Sequence, residues 1–454
     1  MTGIAAELAR RVTATAGGEL PLLALERAKM SVASTVASAA LGVAIPSARA
    51  IREVALARGG APQASIWFSQ EEKLDVAGAA QVNAVASDAA ASDDSDLRSI
   101  AHIGTIVTTA SIAMAEHLGR GGREVLEAMV LGYEVAGRID EALTPGRMKR
   151  GFHGSVSTIF GAAVAAGRLL RLDEARLTHA IALAASSACG MAIAADTSCG
   201  REYHAGLAAF LGVQAAQAAE RGFTSERAVL DAPRGFFEAM NGQSVDQVLR
   251  DWGGSWDIVT DMAIKLMPGA HPFHAIAEAA AEAAKAGDVD PQQVEQIVIS
   301  AIQMRDWGDR KHPRDLVNAA HSVIYFVAAC VADRRFDWEH MTERKFADPR
   351  IAALQDRVVF DPNPKPLPDR FPHRHGGTVS IRMRSGQVFT HTCKAPRGAG
   401  PRGVEWAEVD AKYRRLVPRS GLAGARVEAS LEMIHALERC AALGELTSLI
   451  ATAS

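Results

Sequence analysis

An alanine-rich run that ends in a tight knot of acids constrains this chain more than any other stretch. Residues 83–104 read N-A-V-A-S-D-A-A-A-S-D-D-S-D-L-R-S-I-A-H-I-G. The helical pattern stops at Ser92. Asp93, Asp94, Ser95 and Asp96 follow, then His102 ahead of Gly104, and a new apolar helix begins at Thr105. Carboxylates this close repel one another unless protons, cations or a ligand's partners balance them. Two arrangements answer that demand. Ser92 to Asp96 can be a solvated turn that caps the next helix, or the acids can lie between buried helices and serve with His102 as an acid/base group. Local spacing alone favours the turn.

The surrounding chain reads as helix. A hydrophobic fraction of 48% with only 5% aromatic residues means a core of alanine, valine, leucine and isoleucine, which suits close-packed helices. Helical periodicity covers 22–39, 76–90, 105–118, 123–143, 156–170, 174–187 (capped by Asp173) and 202–222, and Ser225 begins another helix. The character changes after Pro268. Residues 294–302 have the β-branched richness of a strand, 314–331 are helical, and 357–360 form a short strand ahead of a proline-rich loop at 361–372. Residues 377–384 and 387–393 flank Ser385-Gly386 as a β-hairpin, 394–403 are a linker, and helix returns over 404–449. A chain of 454 residues is long for one core. The expected fold is therefore mainly α: a large all-helical domain formed by both chain ends, 1–262 and 397–454, with an α+β domain inserted at 263–396.

Several function classes drop out. A net charge of −3 with both signs interspersed gives no footprint for nucleic acid or an anionic membrane. The five cysteines (Cys189, Cys199, Cys330, Cys393, Cys440) are scattered and never form C-x-x-C, which speaks for reduced thiols and against a zinc or iron–sulfur site. Residues 1–20 carry Glu7, Arg10 and Arg11 and no apolar core of a signal peptide, and 180–195 are too weakly apolar to span a bilayer. A soluble cytoplasmic protein is expected. G-x-S-x-G, the phosphate-binding P-loop, H-E-x-x-H and a strand-borne G-x-G-x-x-G are all missing. The pairs His271/His274 and His373/His375 lack the companions of a metal site. Neither a metal nor an organic cofactor is expected.

Polar residues in glycine-flanked loops are the remaining candidates: His102, His153, Arg201, His204, Lys265, His271, His274 and His321. Lys265 to His274, K-L-M-P-G-A-H-P-F-H, lies at the proposed domain boundary. A cation followed by two histidines suits an anionic substrate and proton transfer near neutral pH; a hinge with surface histidines is the plain alternative. Arg201 and His204, three apart, share one face at a helix start, where backbone donors favour a carboxylate; a solvated first turn explains them equally well. A lone histidine on an apolar helix, as at His321, is more often a satisfied core residue.

Taken in order, these segments resemble the MmgE/PrpD family, the relatives of 2-methylcitrate dehydratase, cis-aconitate decarboxylase and iminodisuccinate epimerase. The resemblance covers nearly the whole chain. It rests on Asn83 with Asp93-Asp94-Ser95, His102-Ile103-Gly104, Gly132-Tyr133-Glu134-Val135 with Arg138, and Gly151-Phe152-His153. It continues through Tyr203-His204-Ala205-Gly206, Gly222-Phe223-Thr224, Lys265 with Pro268 and His271, His321-Ser322 and Asp410-Ala411-Lys412-Tyr413. The resemblance implies a homodimer whose helical domain carries an α+β lid, with the active site between them. It also implies catalysis without metal or cofactor on small di- or tricarboxylates, starting at a carbon next to a carboxylate. Departures stand out. The family's acidic loop usually reads D-x-D-D-T after a histidine three residues earlier; here Ala91, Ser95 and Asp88 occupy those places, and Arg201 stands where a lysine is common. Arginine keeps the charge but donates no proton at neutral pH.

The resulting expectation is a cofactor-independent lyase for a small anionic carboxylate, a hydro-lyase first, with epimerisation or cis-aconitate-type decarboxylation on the same constellation as alternatives. A non-catalytic binder of an anionic metabolite is the reading from another class. Arg201, Lys265 and His204 would hold carboxylates, with His153, His274 and His321 lining the substrate and Ser95 donating a hydrogen bond. His102 first and His271 second would exchange the proton, while Asp93 or Asp94 would orient that base or protonate a leaving hydroxyl.

Overall fold

The computed structural model describes residues 3–98, 100–243, 245–302, 310–367, 375–399 and 402–452. The proline-rich loop at 361–372 falls partly, and His373 wholly, outside those residues, as does part of the 394–403 linker. The chain is mainly α, and it divides into two compact units, Met1–Ile264 with Glu405–Ser454, and Lys265–Val404.

The first unit is a stack of small-residue helices. Leu22–Gly42, Val76–Ala89, Ile103–Leu118, Gly122–Leu143, Ser155–Leu169, Glu174–Ser187 and Gly200–Glu220 supply most of its core. Their alanines and glycines let the axes approach closely. At the crossing of Gly122–Leu143 with Ser155–Leu169, a Cβ on Gly132 would lie 2.6 Å from the Gly161 carbonyl oxygen, so only glycine fits. Val76–Ala89 is buried along its whole length, which removes the usual polar face and leaves Asp88 as its one charge. Asp75 caps its start by accepting from the Gly78 amide at 3.0 Å, a contribution of about 1 kcal/mol. Asn83 pins its middle: the side chain accepts from the Trp67 amide and donates to the Ser65 carbonyl, each at 3.0 Å.

Beyond Ala89 the chain turns through Ala91, at φ 48°, and runs into a short strand rather than an open loop. Asp94–Asp96 pairs antiparallel with Met262–Ile264, with Asp94 opposite Ile264 and Asp96 opposite Met262. Residues Ser92 to Asp96 are fully buried, so the solvated turn favoured by local spacing does not form. A knot of charge holds the far end of this strand. Arg98 lies 3.3 Å from Asp96, 3.4 Å from Asp261 and 2.8 Å from Glu141, and is paired with Asp257 as well. Nearby, Glu134 bonds Arg138 at 2.6 Å and accepts from the Asp257 amide at 2.8 Å, which makes the i, i+4 pair read from the sequence a buried one.

The second unit, taken by itself, packs the helices His271–Ala286 and Val323–Asp333 with a four-stranded sheet. Val358–Phe360 is parallel to Val294–Ser300; Gly377–Met383 is antiparallel to that strand and to Val388–Cys393, the expected hairpin partner. Three helical expectations change. Helix 314–331 breaks at His321, because the Ser322 hydroxyl accepts from the Tyr325 amide and starts a new helix, Val323–Asp333. The segment after Ser225 forms turns up to Phe236, where Pro233 removes a donor and Gly235 follows. The C-terminal run splits around Pro418 and Gly421 (φ 85°) into Trp406–Leu416, Gly424–His435 and Gly444–Leu449. Among the described residues no single helix is long and apolar enough to cross a membrane.

Replacing Gly132 with alanine forces the two crossing helices apart and should cost about 1–3 kcal/mol. The check is the urea midpoint, read with an unchanged m-value; an unshifted midpoint would mean that the crossing absorbs a methyl group.

Candidate active site

The site grows from the end of Val76–Ala89 and the start of Ile103–Leu118. Asp88 lies in the last turn of the first helix, Asp93 in the turn that follows, and His102 is the residue ahead of the second helix. The His102 imidazole makes no capping bond to its helix. Its Nδ1 instead lies 2.5 Å from Asp93 Oδ2 and 3.0 Å from Asp88 Oδ1. Thr105, on the first turn, donates to the same Asp93 oxygen at 3.0 Å, and Ser87 lies 3.1 Å from the Thr105 hydroxyl. Asp88 and Asp93 are fully buried and His102 is 6% exposed. Nδ1 makes its hydrogen bond to Asp93, and Asp88 Oδ1 adds a second negative charge beside it, so both carboxylates favour a proton on that nitrogen.

Arg201, at the start of Gly200–Glu220, closes the cluster from the other side. Its Nε donates to Asp88 Oδ2 at 2.8 Å, a terminal nitrogen donates to the Asp88 carbonyl at 2.6 Å, and the Glu202 carboxylate lies 3.6 Å away. Burial raises the proton affinity of Asp88, but Arg201 and then His102 outweigh it, and the carboxyl sits well below the usual carboxylate range. Burial pushes Glu202 the other way, up to about 7, against the opposing pull of Arg201. Asp88, Asp93 and His102 bring ligand atoms within 4.8 Å of one another, as a cation site would. The guanidinium already lies on Asp88, so the trio carries its own counter-charge.

Asp94 is set apart from this group. Its Oδ2 accepts from Ser31 at 2.8 Å, and a Cβ on Gly104 would lie 1.7 Å from that oxygen, so the carboxyl lies hard against the first turn of Ile103–Leu118. Burial, then the charge of Asp93, raises it to about 6. Lys412 donates to the Ser92 carbonyl and, at 2.8 Å, to the Ser34 hydroxyl, which ties the turn to Trp406–Leu416. The Ser95 hydroxyl is buried with no hydrogen-bond partner among the described residues.

Two further histidines continue the line. The rings of His102 and His153 lie 6.2 Å apart, as do those of His153 and His204. Burial, then the charge of His102, holds His153 well below the usual imidazole value, and burial lowers His204. Both therefore stay neutral hydrogen-bonding groups near pH 7.

Thus Asp93, Asp94, Ser95, His102, His153, Arg201 and His204 all fall in the first unit, and Lys265, His271, His274 and His321 belong to the second. Within the second unit the rings of His271 and His274 are 4.8 Å apart, His274 Nε2 lies 3.2 Å from the Gly269 carbonyl, and His321 Nδ1 lies 2.8 Å from the Val317 carbonyl. Sequence reasoning missed Asp88, Thr105 and Glu202 as members of the site. Asp88 carried a signal, since one charge on an otherwise buried helix demands a buried partner.

The helices of the first unit thus bury a carboxylate–imidazole pair beside a guanidinium. The chain belongs to the MmgE/PrpD family: that family's N-terminal domain matches residues 6–248 and its C-terminal domain residues 267–439. A cis-aconitate decarboxylase of Homo sapiens is 25% identical over 445 residues, covering 95% of this chain and 91% of that protein. One from Aspergillus terreus is 24% identical over 432 residues, 87% of this chain and 86% of its own length. These relatives are by name carboxy-lyases, within the lyase class placed first from the sequence.

A titration separates Asp94 from the His102 cluster. Its folded value lies above the ordinary 3.8, so the native state holds this proton more tightly than the unfolded chain does. That stability is full below about pH 4 and lost as the pH rises to about 6. Asp94→Asn should therefore raise stability at pH 7.5 by on the order of 2–3 kcal/mol, the gain shrinking towards pH 4. Urea midpoints across that range measure it; a variant less stable at pH 7.5 would contradict this placement of the charge.

Proposed function

We propose that this chain is a carboxy-lyase for a small β,γ-unsaturated polycarboxylate of the cis-aconitate type, working by proton delivery from His102. The bond to the departing carboxylate breaks and its electron pair forms a new carbon–carbon double bond. The electron pair of the old double bond takes a proton at its far carbon. Carbon dioxide leaves and one proton enters, so a single donor suffices.

The observation that carries this reading is the clamp on His102 Nδ1 by Asp93 and Asp88 at 2.5 and 3.0 Å. It stabilises an imidazolium, which can protonate carbon from Nε2 and be recharged from solvent. Elimination of water, the reaction placed first from the sequence, needs a base for carbon and an acid for the hydroxyl. Asp94, the carboxyl suggested for the second task, is held by Ser31 against Gly104. The names of the matched relatives favour the same choice. Ser95, with its unpartnered hydroxyl, is the group to donate to a substrate carboxylate, and His153 and His204, next in line from His102, serve as neutral donors. The implied homodimer belongs to this reading; sedimentation should return twice the 48.0 kDa chain mass, and a monomer at micromolar concentration would remove it.

Incubation with cis-aconitate in deuterated water should release carbon dioxide and leave one deuterium on the product, followed by NMR. His102→Gln should slow this by about a thousandfold. Turnover of 2-methylcitrate or citrate to an alkene, with no carbon dioxide from cis-aconitate, would return the assignment to a hydro-lyase.

A further inference from the structure

We infer that Asp88, clamped by Arg201, is a positioning residue that orients the His102 imidazole and stabilises its charged form, and that Arg201 serves the site through Asp88 instead of by holding substrate. The inference rests on His102 being the proton carrier. Its warrant is geometric. Arg201 places Nε on Asp88 Oδ2 and a terminal nitrogen on the Asp88 backbone carbonyl, so one planar fork locks both the side chain and the last turn that carries it. The remaining Asp88 oxygen, Oδ1, then lies 3.0 Å from His102 Nδ1. With Arg201 only 8% exposed and these two bonds made, the guanidinium is engaged by protein groups.

The charge balance points the same way. Asp88 on Val76–Ala89, Asp93 on the turn and Glu202 beside Arg201 are carboxyls of this small volume, while Asp94 is turned to Ser31 but still feels the charges of Asp93 and His102. Against them stand Arg201, the charge of Lys412 acting on Asp94, and a neutral His153 ring. Arg201 is the guanidinium in contact with Asp88, and a protonated His102 lies against both Asp88 and Asp93, so its charge is matched on this side of the site. Arg201 keeps Asp88 ionised, and ionised Asp88 keeps the imidazole charged and turned so that Nε2 faces outward.

The test reads His102 directly and does not depend on turnover. With 13C-labelled histidine, the His102 resonance is assigned by its loss in His102→Gln and titrated by NMR. Asp88→Asn should lower its midpoint by about one pH unit or more; a midpoint unchanged within about 0.3 unit overturns the inference. Should Asp88→Asn fail to fold because Arg201 is left unpaired, the charge-neutral double variant Asp88→Asn/Arg201→Gln replaces it. The midpoint should fall there too, because the carboxylate against the ring is the nearer of the two charges removed. On cis-aconitate, Arg201→Lys should cut kcat at least about tenfold while KM moves less than about threefold. A raised KM with kcat kept would instead make Arg201 a substrate ligand and overturn its assignment. If no tested acid turns over, the carboxy-lyase reading fails while the titration still decides the role of Asp88.

Discussion

Everything at this site depends on placing ionised carboxylates inside a low-dielectric helical core. An unpaired carboxylate there would take up a proton or unfold its surroundings. Asp88 and Asp93 avoid both outcomes because His102 and Arg201 reach them from two other helices, and Thr105 adds a hydroxyl to Asp93. The same condition explains the small residues around the cluster. Gly104 leaves room for Asp94, and Ala91 turns the backbone so that the acids enter the core instead of solvent.

The site is mounted on irregular backbone held between regular helices. Asp94–Asp96 is too short to be stable as a strand by itself. It persists because Met262–Ile264 pairs with it, Lys412 fixes the carbonyl of Ser92 and Arg98 gathers the acids beyond its far end. Those contacts come from residues far apart in the chain, so the geometry of Asp93 against His102 is set by the whole unit. A short polar turn between two independent helices would leave the imidazole to solvent; here it is packed and directional.

Arg201 shows how one substitution redirects a charge. A lysine at this place would be a single ammonium on a flexible stem, free to meet a ligand or donate a proton. The guanidinium is planar and forked, and its two bonds go to the side chain and the backbone of Asp88. The sequence marked Asp88 and Arg201 as separate departures from the family pattern, and in the folded unit they form one pair. Positive charge near a carboxylate substrate was a fair inference from Arg201 alone. Their contact turns it inward.

By itself the sequence determined the mainly helical character, most helix starts and stops in the first unit, and the hairpin of the second. These follow from local periodicity, caps such as Asp173, and turn residues such as Ser385-Gly386, whose physics is complete within a few neighbours. It also marked Asp93, His102 and Arg201 as candidates, through order along the chain and the chemistry of the residue types. Only the tertiary structure decided that Ser92 to Asp96 are buried, that Asp94 is turned to Ser31, and that Arg201 spends its fork on Asp88. Burial and charge pairing are set by which distant helices arrive at the same point, and a carboxylate's proton depends on those neighbours, so no local reading of the acidic stretch could choose between a solvated turn and a buried cluster.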